Sequence, residues 1–138
     1  NAARMVSGDY YDYQALSETH LAIAIGDVAG KGISAALLMA TLQSAMRSQL
    51  RHCMDLAASN GQSLPQVSTA RLVSSLNEHL YVSTAPEKYA TFFFSLYDES
   101  TGRLSYTNAG HLAPLLIRNG EASQSRRMNM ERCSANSG

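Results

Sequence analysis

The stretch "LAIAIGDVAGKGISAALLMA", residues 21–40, limits the possible folds of this chain most narrowly, because its hydrophobic period changes once. Up to Gly26, large and small apolar residues alternate, which predicts a β-strand with one bulky face and one face open to close approach. From Ile33, apolar residues recur at helical spacing among strong helix formers, which predicts a helix over about residues 33–52. A strand, a glycine-rich loop and a long helix therefore follow one another directly.

The same mixture of elements continues along the chain. Further strands are predicted at residues 5–16, 89–98, 103–110 and 112–120, and a second helix is predicted at about 66–82. The segment "YATFFFSLYD" is apolar on both faces, which is typical of a central strand in a covered sheet. This order of elements predicts an α+β fold, in which an antiparallel sheet carries a packed helical pair on one side.

Composition narrows the class of protein. The 138 residues carry a formal net charge of zero, which argues against a nucleic-acid partner. No apolar run approaches the roughly 20 residues of a membrane span, and no secretory signal opens the chain. The cysteines Cys53 and Cys133 form no CxxC pair, which favours a cytoplasmic protein with free thiols. We expect one domain over residues 1–120 and a disordered tail over 121–138, where small polar residues dominate.

The first two strands predict that two aspartates face each other. If their turn centres on Glu18, the numbers of paired residues sum to about 36 and Asp9 lies opposite Asp27, with β-carbons about 4.5–5.5 Å apart. Two opposed carboxylates destabilise a sheet unless a cation neutralises them, and Mg²⁺ or Mn²⁺ prefers oxygen ligands. A register slip of one residue would separate the two acids, and the alternative is a surface hairpin with two solvated acids. Asp12 is predicted on the opposite face from Asp9, as a solvated acid.

The glycines of "GDVAGKG" would allow close approach to such a metal site. Gly26 and Gly30 would let backbone and metal-bound water come close to Asp27. Gly32 lies just before the predicted helix, whose N-terminus favours anions, and Lys31 adds a positive charge. We therefore take Gly30, Lys31 and Gly32 as candidate phosphate-binding residues.

A nucleotide-binding P-loop is the competing interpretation of these glycines. That motif requires G-x-x-x-x-G-K-[ST]. Here Ile25 occupies the first glycine position and Gly32 stands where serine or threonine is needed, so the spacing argues against a P-loop.

Three segments in order, "SGDYYDY", "GDVAGKGISAALLMA" and "TNAGHLAPLL", resemble the SpoIIE/RsbU branch of the PPM metal-dependent protein phosphatases, relatives of protein phosphatase 2C. The resemblance covers about residues 5–120. It implies part of an α-β-β-α sandwich and hydrolysis of phosphoserine or phosphothreonine with two Mn²⁺ or Mg²⁺ ions. It also implies bacterial signalling substrates such as anti-sigma-factor antagonists, in stress or sporulation control.

The resemblance assigns roles to individual residues. Asp9 resembles the first metal-binding aspartate, Asp27 resembles the aspartate that bridges both ions, and the Val28 carbonyl resembles a further ligand. Asn108 and His111, in "NAGH", resemble a motif near the site. The implied mechanism is attack on phosphorus by a metal-activated water, with no enzyme nucleophile.

The chain also departs from the family pattern. It has no aspartate after Asp98 to match the "TDG"-type aspartate that completes the metal site, so we expect weaker metal affinity and a doubtful second ion. The tail from Glu121 resembles nothing in the family. Two hypotheses follow: a metal-dependent phosphatase domain, or a catalytically impaired fragment that acts as a protein-binding module. An incomplete sandwich would also expose apolar sheet and favour a homodimer.

Overall fold

The computed structural model describes residues 8–30, 32–61, 67–83, 89–118 and 121–124. Its elements, in chain order, are strands β1 (Asp9–Ala15) and β2 (His20–Val28), helices α1 (Ile33–Ser59) and α2 (Thr69–Ser83), and strands β3 (Ala90–Asp98), β4 (Arg103–Ala109), β5 (Leu115–Arg118) and β6 (Glu121–Gln124).

The main sheet has four antiparallel strands in the order β1-β2-β3-β4, and β5 pairs with β6 in a separate two-stranded sheet. Because the strands alternate in side-chain direction, the even-numbered residues of β2 and β3 face the two helices. The predicted α+β fold, with a helical pair on one side of an antiparallel sheet, is confirmed.

The core lies between this sheet face and the helices. Alanines on β2 let α1 come close to the sheet, and large side chains from β3 and both helices fill the space between them. The buried members of this cluster include Ala22, Ala24, Phe92, Phe94, Leu96, Leu42, Met46, Leu50, Leu72 and Leu76. Phe94 and Leu50 are 0% exposed, which makes the middle of β3 and α1 the centre of the core.

Two predicted element bounds were wrong. Helix α1 runs to Ser59 rather than residue 52, because residues 53–58 add further helix formers before the stop signal. The helix ends where Asn60 N–H donates to the Leu56 carbonyl and Gly61 takes a positive φ of 63°. Strand β5 begins only at Leu115, after Pro114, which has no N–H for a sheet hydrogen bond.

Part of the predicted tail is ordered. Residues Glu121–Gln124 form β6, which pairs with β5 from Arg118↔Glu121 to Leu115↔Gln124. Backbone pairing explains this strand, since it needs no apolar periodicity in the sequence. Residues 125–138 lie outside the described residues, so the boundary between domain and tail stays a prediction.

Within the described ranges, no helix has both the length and the apolar composition of a membrane span. Cys53 is a free thiol on α1, and burial raises its pKa. Cys133 lies outside the described residues.

Candidate metal and phosphate site

Asp9 and Asp27 are direct cross-strand partners, so the predicted register is confirmed. The pairing is fixed at both ends of the hairpin: Leu16 N–H donates to the His20 carbonyl at 2.9 Å, and Val28 N–H donates to the Gly8 carbonyl at 3.1 Å. Both aspartates are exposed and lie on the sheet face opposite the helices. Two carboxylates therefore stand side by side at one end of the sheet.

Gly8 leaves open a notch beside these carboxylates. A β-carbon at Gly8 would lie 2.5 Å from the Val28 carbonyl oxygen and 3.3 Å from Asp27 Oδ1. The first distance is shorter than real contacts allow, so any other residue would push the Val28 carbonyl away. The notch is therefore bordered by two oxygens, one from a carboxylate and one from the backbone, and only glycine leaves it empty.

Gly26 does not open space beside Asp27, which was the role predicted for it. A β-carbon there would lie 2.9 Å from the Thr91 carbonyl oxygen and 3.2 Å from the Phe92 ring. Gly26 is buried on the helix side of the sheet, so its small size serves close packing of β2 against β3.

A third strand extends the row of polar groups. Thr91 on β3 is the cross-strand partner of Asp27, and its Oγ1 lies 2.9 Å from Nδ1 of His111. Directly paired residues point to the same face of a sheet. Asp9, Asp27, Thr91 and His111 thus form one line across the end of the sheet. Sequence analysis missed Thr91, because its place depends on the register between β2 and β3, and two helices separate these strands in the sequence.

The "NAGH" segment is a closed loop built around Asn108. Its side-chain amide donates to the His111 carbonyl at 3.0 Å, and its Oδ1 accepts from His111 N–H at 2.8 Å. Gly110 has a positive φ of 73°, and a single bridge links it to Phe92. Asn108 therefore orders the loop, and the loop places the His111 ring against Thr91.

The glycine loop connects β2 to α1 beside this line. Gly30 and Gly32 have φ values of 121° and 75°, in the region that favours glycine. Gly32 is the N-cap of α1, and no side chain there accepts an N–H of the first turn. Lys31 lies outside the described residues. The N-terminus of α1, which has no acidic residue in its first turn, follows Val28 within a few residues.

Asp12 is not solvated, and that prediction was wrong. It lies on the helix side of β1 and accepts two hydrogen bonds from Arg47 of α1, each at 2.8 Å. Tyr10 OH donates to the same carboxylate at 3.2 Å. The hydrogen bonds from Arg47 hold the pKa of Asp12 below its usual range, and burial raises the pKa of Tyr10. Asp12 is buried and the Arg47 side chain is about half exposed, so this ion pair fixes α1 to the strand that carries Asp9 at the rim of the helix–sheet interface.

The donors at this end of the sheet suit a hard cation. Carboxylate and carbonyl oxygens are the ligands that Mg²⁺ and Mn²⁺ favour, and the Gly8 notch leaves space next to two of them. In the part of the chain that the structure describes, no three His, Cys, Asp or Glu residues cluster as a metal-binding group. The residues present therefore fit a cation with two side-chain ligands and one backbone ligand.

Comparison with known proteins places these features in a family. Residues 17–130 match the sequence model of the family described as "Stage II sporulation protein E (SpoIIE)". This match runs past Glu121, so the expectation that the tail resembles nothing in the family was wrong as far as residue 130. The chain is 35% identical over 133 residues to Protein IcfG of Synechocystis sp., covering 86% of this chain and 21% of that protein. It is 32% identical over 111 residues to the phosphoserine phosphatase RsbU of Bacillus subtilis, covering 79% of this chain and 28% of RsbU.

The fold agrees with these matches. The crystal structure of the RsbU and RsbW domains of Rv1364c from Mycobacterium tuberculosis matches with a TM-score of 0.62 and 26% identity. This match covers 90% of this chain and 30% of that one. The match covers only 21% of IcfG and 28% of RsbU, so the chain spans well under a third of these curated relatives. The chain belongs to the SpoIIE family, the RsbU-like branch of the PPM-type phosphatases.

Proposed function

We propose that this chain takes part in the metal-dependent removal of phosphate from phosphoserine or phosphothreonine on a regulatory protein. The observation that carries the proposal is the direct pairing of Asp9 with Asp27 beside the open Gly8 notch. Without a cation, repulsion between the two carboxylates destabilises the sheet, whereas a divalent cation between them is bound favourably. Similarity to RsbU, a phosphoserine phosphatase, supports the reaction class.

Asp9, Asp27 and the Val28 carbonyl would hold the cation, either Mn²⁺ or Mg²⁺, through three oxygens. A cation held there would lower the pKa of a bound water, so that it could act as the nucleophile at neutral pH, and would offset the negative charge of the phosphoryl group. The side chains of this chain contribute orientation. The hairpin register holds the two carboxylates side by side, and the ion pair between Asp12 and Arg47 keeps β1 in place against α1.

The phosphoryl group would bind between the carboxylates and the start of α1. The N-terminus of α1 and the backbone N–H groups of Gly30 and Gly32 favour an anion there. The sequence adds one positive charge to this loop, at Lys31. His111, held by Thr91 in the same line, would contact the substrate from the other side, with Asn108 ordering its loop.

Similarity to RsbU, a phosphoserine phosphatase, supports a phosphorylated regulatory protein as the substrate. The substrate would be a small phosphorylated signalling protein, such as an anti-sigma-factor antagonist, whose phosphorylated residue would meet the two exposed carboxylates. We place the reaction in the cytoplasm, where such regulators act.

The test is a Mn²⁺ titration of the purified chain, with hydrolysis of an aryl phosphate followed alongside. We expect hydrolysis to rise with Mn²⁺ and to be lost in Asp27→Asn. Glu78→Gln, which removes an exposed acid from α2, is the matched control and should leave the activity unchanged. Activity that survives Asp27→Asn would contradict the proposal. Metal binding without hydrolysis would instead support the second candidate, a phosphatase-like binding module. The second candidate is favoured by the presence of only two side-chain carboxylates at the site.

A further inference from the structure

Strand β1 is an edge strand of the four-stranded sheet, and its outer side has a defined pattern of backbone groups. The Gly8 carbonyl accepts a hydrogen bond from Val28 of β2, and Leu16 N–H donates one to His20 of β2. Gly8 and Leu16 are eight residues apart. Because antiparallel pairs alternate between hydrogen-bonded and non-hydrogen-bonded, the even-numbered residues of β1 bond to β2. The N–H and C=O groups of the odd-numbered residues therefore point away from the sheet.

One of these outward groups is already occupied. Tyr13 N–H donates to Asp12 Oδ1 at 3.0 Å, and Arg47 fixes that carboxylate. This contact agrees with the outward direction of the odd-numbered amides and closes the edge at Tyr13. Among the described residues, no strand lies beside the outward N–H and C=O of Tyr11.

A cavity of about 420 Å³ lies against the open part of the edge. Its walls are Asp9 to Tyr11 on β1 and one side of α1, including Ala36, Ala40 and Gln43. A neighbouring strand would lie about 4.8 Å from β1, and two alanines at this point of α1 leave room for it. The cavity reaches Asp9, so it is continuous with the paired-aspartate site.

We propose that an extended segment of the phosphorylated substrate adds to the β1 edge at Tyr11, as a short additional strand inside this cavity. The inference rests on the proposed function. It specifies the substrate of that function as a phosphorylated residue in an extended segment rather than in a helix. Main-chain hydrogen bonds to Tyr11 position the segment. Because side chains alternate along a strand, every second residue of the segment points to the sheet face that carries Asp9 and Asp27. The Asp12–Arg47 pair limits the pairing to about three residues.

The first test uses matched proline variants. The probe is a fluorescein-labelled phosphoserine heptapeptide with valine and threonine flanks, and its binding to the full chain with Mn²⁺ is measured by anisotropy. Tyr11→Pro removes an outward N–H inside the cavity, whereas Ala15→Pro removes an outward N–H on the same edge outside it. Losing one or two main-chain hydrogen bonds should weaken binding about 5- to 30-fold in Tyr11→Pro. Ala15→Pro should bind like the parent chain.

The second test leaves the protein unchanged, so that misfolding of a variant does not decide the outcome. Peptides are N-methylated at one amide at a time. Strand addition predicts that methylation weakens binding at alternate positions only, with a period of two. Equal sensitivity at all positions, or at none, would overturn the inference, as would equal losses in Tyr11→Pro and Ala15→Pro.

Aryl phosphate hydrolysis separates this inference from the proposed function, because an aryl phosphate has no peptide strand. One outcome is Mn²⁺-dependent hydrolysis of the aryl phosphate together with no alternating pattern for the methylated peptides. It would support the phosphatase function and overturn the strand addition. The alternating pattern in a chain that hydrolyses nothing would support the strand addition and contradict the catalytic proposal.

Discussion

Gly8→Ala is the substitution that the site geometry most clearly predicts to weaken metal binding. The new β-carbon would lie 2.5 Å from the Val28 carbonyl oxygen, and real β-carbon contacts below 3.0 Å are essentially absent. The carbonyl or β1 must therefore shift by at least about 0.5 Å, given the difference between these two distances. Metal–ligand distances tolerate only about 0.2 Å. We expect a fall in Mn²⁺ affinity of about 10- to 100-fold, the usual range for displaced ligand geometry.

Isothermal titration calorimetry with Mn²⁺ measures this effect, and urea unfolding of the same samples measures stability. Gly26→Ala is the matched control, since it adds one methyl group to the same hairpin on the helix side of the sheet. Overpacking there should reduce the free energy of unfolding by about 1–3 kcal/mol, with a much smaller effect on Mn²⁺ affinity than in Gly8→Ala. If Gly8→Ala binds Mn²⁺ as tightly as the parent chain, the Val28 carbonyl is not a ligand.

Three further predictions concern the core, the pH dependence of stability, and the hydrogen bond between Thr91 and His111. Phe94→Ala should reduce the free energy of unfolding by about 3–5 kcal/mol in urea titrations, because Phe94 is 0% exposed at the centre of the core. Hydrogen bonds from Ser100 lower the pKa of Asp98 to about 2, below the value of about 3.9 for an aspartate in an unfolded chain. The ionised Asp98 therefore stabilises the folded state above about pH 4, and this contribution is lost as the pH falls towards 2. Asp98→Asn should flatten that part of a curve of Tm against pH, and an unchanged curve would contradict the assignment. Thr91→Val removes the hydrogen bond to His111 and should lower kcat/KM about 3- to 10-fold, with recovery in Thr91→Ser. Equal losses in both Thr91 variants would show that the hydroxyl is irrelevant.

The hairpin was predictable because its constraints are local. The turn around Glu18 and the alternation of "LAIAI" fix which residues pair, and the Asp9↔Asp27 contact follows by counting. The helical faces were predictable for the same reason, since a period of 3.6 residues identifies the buried positions of α1.

Contacts between distant elements were not predictable in this way. Asp12 finds its partner Arg47 35 residues further along the chain, and nothing in the period of either element specifies that contact. The role of Gly8 depends on how close it lies to the Val28 carbonyl, a distance that the three-dimensional fold sets. Thr91 joins the site through the register between β2 and β3, whose connection includes two helices.

The most direct test of the paired-aspartate site is a Mn²⁺ binding titration followed by electron paramagnetic resonance, in which free Mn²⁺ gives the signal. Parent chain, Asp27→Asn and Glu78→Gln are compared at equal concentration, with circular dichroism to show that all three are folded. The paired-aspartate account predicts that the parent chain and Glu78→Gln remove Mn²⁺ signal to the same extent, whereas Asp27→Asn leaves most of it free. Equal binding by Asp27→Asn and the parent chain would contradict the account.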